Sequence, residues 1–84
     1  MNRNYPQIRH AVRRGDGVLL LTTTAPADVP LAAVVADAEH FCVALYTESR
    51  ASDLSFRMRW TIDSATKRRG KGTTLRTTVR KEAV

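Results

Sequence analysis

The sequence predicts one small α+β domain in which a single helix packs on a mostly antiparallel sheet, with the elements in the order β-α-β-β-β. Three patterns predict this class: a β-branched apolar run after a glycine turn, a helical apolar stripe behind two prolines, and a long two-residue alternation near residue 60. The 84 residues suit one domain with one core. We assign residues 1–14 to a basic N-terminal arm or short helix, residues 15–80 to the core, and residues 81–84 to a tail.

The first elements are an N-terminal segment and a strand. Residues 4–14 carry apolar side chains at helical spacing, which predicts a short helix, with a basic arm as the alternative. Gly15-Asp16-Gly17 is a turn signal. The run that follows, residues 18–24, predicts a buried strand because it is short, apolar and rich in β-branched residues.

An amphipathic helix is predicted over residues 29–39. Asp28 is placed to cap its N-terminus, and Pro30 falls in the first turn, where a missing N–H does no harm. The helix should pack through an apolar stripe made of Leu31, Val34, Val35 and Ala38.

The next segment, residues 41–47, is compatible with two structures. Phe41, Cys42 and Leu45 continue the helical stripe, whereas Phe41, Val43 and Leu45 alternate as in a strand. We predict a strand, because the aromatic and β-branched content favours one and the following strand needs a partner. Residues 48–53 would join the two as a hairpin.

The clearest pattern is the apolar and polar alternation from Leu54 to Asp63. This is the period of a strand with one buried and one wet face, so Phe56, Met58 and Trp60 should pack against the helix. Residues 64–73 lack large apolar side chains and are expected to form a mobile loop. Residues 73–80 then predict a last strand that pairs antiparallel with this one.

The charges are segregated along the chain. The net charge is +6, and eleven of the fourteen cations lie in residues 1–14 and 67–84, where only Glu82 opposes them. Residues 15–49 contain five acids and no Lys or Arg. Such a distribution gives a strongly directional field, which predicts a polyanionic or acidic partner.

The candidate site is a basic hairpin. The alternation that buries the apolar side chains places Arg57 and Arg59 on the opposite face, and one register of the last strand brings Arg76 and Arg80 beside them. The connecting loop adds four cations next to glycines that allow a phosphate to approach the backbone. The predicted nucleic-acid-binding residues are Arg57, Arg59, Lys67, Arg68, Arg69, Lys71, Arg76 and Arg80.

This hairpin predicts a non-catalytic basic binding protein that engages nucleic acid or a complex containing nucleic acid. A two-stranded ribbon fits the DNA major groove, and contact with DNA or RNA by shape alone is compatible with the same residues. The aromatic residues alternate with the arginines and should face the core, so the sheet lacks the stacking residues of the common RNA-recognition fold.

A second hypothesis belongs to another class. The small size suits an inhibitor or adaptor of the kind that phages and mobile elements use to dock on a host protein complex, with Asp37, Glu39 and Glu48 or an exposed apolar face making the contact. A homodimer is a further partner that an uncovered apolar patch would favour.

The sequence shows no pattern of catalysis, cofactor binding or metal binding. Asp37, Glu39, His40 and Cys42 are close together, but one thiol and one imidazole fall short of any metal-ligand spacing. His10 stands alone in a basic segment and is expected to be exposed. We therefore predict no enzyme activity, no cofactor and no metal.

Cysteine usage and hydropathy predict the compartment. Cys42 is the only cysteine, which excludes an internal disulfide and favours a reducing cytoplasm. The longest apolar stretches, residues 18–21 and 31–36, are too short to span a membrane, and the N-terminus lacks the apolar core of a signal peptide. We expect a soluble cytoplasmic protein without a membrane partner.

Overall fold

The structure, a computed structural model, describes residues 7–52 and 54–83 and shows one helix packed against one face of a four-stranded antiparallel sheet. The elements are β1 (Arg9–Arg14), β2 (Val18–Ala25), α1 (Leu31–Arg50), β3 (Phe56–Arg68) and β4 (Gly72–Ala83). Across the sheet the strand order is β1-β2-β4-β3. The predicted α+β class is confirmed, but the predicted β-α-β-β-β order is wrong, because the chain runs β-β-α-β-β.

The strand predicted over residues 41–47 is wrong, because these residues belong to α1, which continues to Arg50. The helix buries Val34, Ala38 and Cys42, one residue every four, so the apolar stripe runs past the predicted end at residue 39. Phe41 packs against the same core. The helical stripe is therefore the pattern that the fold buries, and the alternation of Phe41 with its neighbours does not correspond to a strand.

The predicted N-terminal helix is also wrong where the structure describes it. Arg9–Arg14 forms β1, which pairs antiparallel with β2 through a tight turn at residues 15–17. Pairing with the edge of β2 satisfies the backbone groups of a segment too short to be a stable helix alone. Residues 1–6 of the predicted arm lie outside the described residues.

The helix begins two residues later than predicted. Pro30, not Asp28, is the N-cap, and no side chain caps the helix. Instead, the carbonyl of Pro30 accepts hydrogen bonds from the N–H groups of Ala33 and Val34. Val29 is buried just before the helix. Within the described residues, no helix has both the length and the apolar character that crossing a membrane requires.

The core lies between α1 and one face of the sheet, which we call the helix-side face. The two central strands supply its floor, because alternate residues of β2 and β4 point at the helix. Trp60 and Met58 of β3 pack at its margin, half-buried. The buried apolar residues of the cluster are Ile8, Leu21, Ala25, Val29, Val34, Ala38, Cys42, Leu75 and Val79.

β3 and β4 form the long hairpin that the sequence predicted, with the predicted antiparallel pairing confirmed. The predicted mobile loop at residues 64–73 is wrong, because β3 continues to Arg68 and β4 begins at Gly72, which leaves a three-residue turn. β4 also continues to Ala83, so residues 81–83 are strand and not the predicted tail. The ladder pairing continues through both extensions, from Arg68 opposite Gly72 to Phe56 opposite Ala83.

Candidate functional site

The face of the sheet opposite α1, which we call the open face, is covered by no other element of the described chain. Strand alternation sends every second side chain to it. Arg59 of β3 stands directly across the ladder from Arg80 of β4, which is the pairing the sequence predicted in one register. Seven arginines of the four strands point to this face: Arg9, Arg13, Arg57, Arg59, Arg68, Arg76 and Arg80.

The structure brings most of the predicted binding residues together on the open face, but not all of them. Lys67 points to the helix side, where its Nζ donates a hydrogen bond to the Val29 carbonyl at 3.4 Å. The cause is a β-bulge between Ile62 and Ser64, which reverses the alternation in the second half of β3. Arg69 is exposed in the turn. The predicted residues gathered on or beside the open face are Arg57, Arg59, Arg68, Lys71, Arg76 and Arg80.

Glu82 partly neutralises one end of the open face. Its carboxylate lies 3.6 Å from Arg57 Nε and 3.5 Å from Arg59 Nη1. The two arginine side chains are still 64% and 70% exposed, so both can reach another partner. The second acid of this face among the described residues is Asp63 at the bulge, which accepts a hydrogen bond from the Thr78 hydroxyl. The face therefore keeps a large positive excess.

Three cations meet in a shallow depression beside the β3–β4 turn. Arg68, Lys71 and Arg76 line it together with the hydroxyl-bearing Thr66 and Thr74, and its volume is about 390 Å³. Guanidinium, ammonium and hydroxyl groups are all donors, and this combination is suited to phosphate oxygens. The depression thus gathers three cations and two hydroxyl groups at one end of the open face.

Sequence reasoning missed Arg9 and Arg13, which the open face also includes. Both were placed in an arm or helix, where their direction could not be assigned. The signal that could have found them is the strand-like order Arg9, His10, Ala11, Val12, Arg13, in which alternate residues face opposite sides. Pairing with β2 puts Arg9 opposite Thr24 and Arg13 opposite Leu20.

His10 is buried, so the prediction that it is exposed is wrong. Alternation points it to the helix-side face, where its ring stacks on Phe41 with centroids 4.5 Å apart. Nε2 lies 2.7 Å from Asp37 Oδ2, and Nδ1 lies 2.9 Å from Thr23 Oγ1. An ionised carboxylate only accepts, so Nε2–H donates to Asp37.

This Thr23, His10 and Asp37 arrangement resembles the geometry of a nucleophile, base and orienting acid, but Thr23 is 0% exposed. A substrate could not reach its hydroxyl without the sheet opening. The network instead joins edge strand β1 to β2 and to α1, and it satisfies polar groups that would otherwise be buried without partners.

The cysteine is also enclosed. Cys42 is 0% exposed on the buried stripe of α1. Burial raises the pKa of its thiol to about 11, and the nearby Glu39 carboxylate adds to the effect. The thiol therefore stays protonated near neutral pH and does not act as a thiolate nucleophile. Among the described residues, no group of three or more His, Cys, Asp or Glu side chains is arranged to hold a metal ion.

A cavity also lies on the helix-side face, and Arg14 is among the residues that line it. It is an open cleft of about 580 Å³ beyond the C-terminal end of α1, with Leu19, Phe56, Met58 and Val79 in its wall. Lys81 also lines it, with Nζ 4.1 Å from the centroid of the Phe56 ring. This cation is thus already engaged in a cation–π contact.

Comparison with known proteins finds no matching family model, no matching curated protein and no matching solved structure.

Proposed function

We propose that this chain is a non-catalytic binding protein that engages nucleic acid, or a complex containing nucleic acid, through the open face of its sheet. The observation that carries the proposal is the concentration of seven outward arginines on one uncovered face that holds two acids among the described residues.

The direct opposition of Arg59 and Arg80 supports this proposal. Like charges opposite each other across a ladder destabilise it, and Glu82 contacts only one of the two, Arg59. A bound polyanion would remove this repulsion by placing phosphates over both guanidiniums. Arginine also suits phosphate better than lysine does, because its planar fork donates two parallel hydrogen bonds.

The chemistry of the face favours phosphate contact over base reading. Outward residues between the arginines are mostly short hydroxyl side chains such as Thr22, Thr66 and Thr74. Hydroxyls donate to phosphate and sugar oxygens, and those contacts position a protein on nucleic acid without reading its sequence. The affinity should therefore be electrostatic, strongly salt-dependent and similar for different sequences.

A salt titration of binding tests the proposal. The variant Arg59→Gln/Arg80→Gln removes two charges from the open face, and Arg50→Gln/Lys67→Gln removes two charges from side chains outside that face. Both variants have the same net charge. Fluorescence anisotropy with labelled nucleic acid should show that the first variant lowers the slope of log K against log salt by up to about 1.8. The second should leave the slope near the wild-type value.

Two results would contradict the proposal. One is the absence of binding to any nucleic acid at low salt, and the other is an equal loss of slope in the two charge-matched variants. The second result would mean that net charge alone, and not the open face, attracts the polyanion.

The competing hypothesis is an inhibitor or adaptor that docks on a host protein complex. The observation that favours it is the solvent-exposed side of α1, where Glu39, Glu48 and the half-exposed Val43 lie. Affinity capture from nuclease-treated lysate separates the two functions, because partners that survive nuclease and are lost on Glu39→Gln/Glu48→Gln substitution would favour protein docking.

A further inference from the structure

The arginines of the open face form two columns. One column lies on β1 and contains Arg9 and Arg13. The other lies on β4 and β3 and contains the remaining five, Arg57, Arg59, Arg68, Arg76 and Arg80. β2 separates them, and the side chains it turns outward are uncharged. β1 and β4 are two interstrand spacings apart, which places the arginines of β1 about 10 Å from those of β4. Along each of these two strands, successive arginines are four residues apart, or about 13 Å.

No aromatic side chain of the described residues lies on the open face. Among the described strand residues, the aromatic side chains Phe56 and Trp60 point to the helix side, and His10 is buried there as well. Proteins that bind single strands without sequence preference combine a basic groove with aromatic rings on which the bases stack. The described residues of this face offer charge and hydroxyl groups, but no ring for an unstacked base.

The width of the sheet also excludes entry into a groove. Four strands span about 14 Å between the outer backbones, whereas the DNA major groove is about 12 Å wide. The hairpin cannot act as a free two-stranded ribbon, because β2 accompanies β4 up to the Ala25 and Thr73 pair, one pair short of the turn. Nucleic acid must therefore lie across the outside of the sheet.

We infer that the open face binds duplex nucleic acid across one groove, with each arginine column contacting one of the two phosphate backbones. The column separation of about 10 Å lies between the widths of the minor and major grooves, about 6 and 12 Å. A single strand has one backbone and can engage one column at a time. This inference rests on the proposed function. It adds that the protein binds duplexes more tightly than single strands, whatever the base sequence.

The test compares 20-base-pair DNA and RNA duplexes with the corresponding single strands, using wild type, Arg9→Gln/Arg13→Gln and Arg76→Gln/Arg80→Gln. We expect the duplexes to bind at least about tenfold more tightly than the single strands, and each double variant to lower the duplex salt slope by up to about 1.8. Substitution of Arg9 and Arg13 should change single-strand affinity less than threefold. Scrambled duplex sequences should bind within about twofold of one another.

The outcomes distinguish a failure of this two-column inference from a failure of the proposed nucleic-acid binding. Single strands that bind as tightly as duplexes, or a duplex slope that Arg9→Gln/Arg13→Gln leaves unchanged, would overturn the two-column inference and leave nucleic-acid binding intact. No binding of any probe would end both. Arg9→Lys/Arg13→Lys keeps the charges and should retain the wild-type slope, which distinguishes loss of charge from loss of strand β1.

Discussion

The buried threonine hydroxyls on the helix-side face differ in whether they have a hydrogen-bond partner. Thr73 and Thr77 of β4 are each 2% exposed, and their Oγ1 atoms have no hydrogen-bond partner among the described residues. Thr23 of β2 is equally buried, but its hydroxyl pairs with His10. A buried unpartnered hydroxyl costs about 1–3 kcal/mol of stability. Identical residue types on one face should therefore respond in opposite ways to the loss of the hydroxyl.

We predict that Thr77→Val leaves the free energy of unfolding unchanged or raises it by up to about 1 kcal/mol, because it replaces an unpaired hydroxyl with a methyl group of similar shape. Thr23→Val should lower the free energy of unfolding by about 1–2 kcal/mol, because it leaves a ring nitrogen of His10 without its partner. Urea denaturation monitored by Trp60 fluorescence measures both. A larger loss for Thr77→Val than for Thr23→Val would contradict the assigned hydrogen bonds.

Two glycines at the β3–β4 turn differ in what surrounds them. Both have positive φ, +69° at Gly70 and +94° at Gly72. A Cβ at Gly70 would meet nothing within 4 Å, whereas a Cβ at Gly72 would lie 2.4 Å from the Ala25 carbonyl oxygen. Gly72 thus permits the close approach of β4 to the end of β2.

We predict that Gly70→Ala costs about 1–2 kcal/mol of stability, because only the left-handed backbone is strained. Gly72→Ala should cost at least about 1 kcal/mol more, since a clash with backbone cannot be relieved by rotating a side chain. Denaturant midpoints of the two variants check the difference. Equal losses would mean that β2 and β4 are farther apart at this end than the structure shows.

At the scale of elements, the β3–β4 ladder holds the acid that limits the charge of the open face. Glu82 contacts both Arg57 and Arg59, and it is itself half-exposed. Ion pairs this exposed contribute little to folding, typically about 0–1 kcal/mol. The carboxylate should therefore matter more for binding than for stability.

We predict that Glu82→Gln raises affinity for nucleic acid about threefold or more at 0.15 M salt, because it releases two guanidiniums and removes a repelling charge. The free energy of unfolding should change by less than about 1 kcal/mol. Glu48→Gln makes the same charge change on α1 and should leave the affinity almost unaltered. Equal gains for the two variants would argue against a binding site on the open face.

The elements show where sequence reasoning succeeds and where it stops. The central strand β2, the alternation of β3 and its pairing with β4 were predictable, because their periodicity is long and agrees with residue type. The structure of residues 41–47 was not predictable, since both the helical and the strand periods fit these residues. The sheet decides between helix and strand for this segment, because β1 supplies the fourth strand by pairing with β2. That pairing depends on tertiary contacts such as those of His10.

The face to which Lys67 points could not be predicted from the sequence for a different reason. An unbroken alternation predicts one face for each residue, but a single extra residue at the bulge reverses every direction after it. Arg68 therefore joins Arg76 on the open face, while Lys67 contacts Val29 on the other side. The composition of the hairpin was predictable, and the distribution of its cations between the two faces was not.

At the scale of the whole molecule, the segregation of charge along the chain becomes a segregation in space. The basic segments at the two ends of the sequence supply β1, β4 and the end of β3, while the acidic middle supplies α1. Glu39 and Glu48 are exposed on the helix layer, and the arginine columns lie on the opposite side of the sheet. This arrangement should orient an approaching polyanion toward the open face before contact.

The most direct measurement is an NMR titration of the arginine Nε–Hε signals with a 20-base-pair duplex at low salt. We expect the signals of Arg59, Arg76 and Arg80 to shift on binding and to return at high salt. The signal of Arg50, whose side chain is held against Tyr46 on the helix, should not shift. Shifts confined to Arg50 and the helix, or no shift at any arginine, would contradict the claim that the open face is the binding surface.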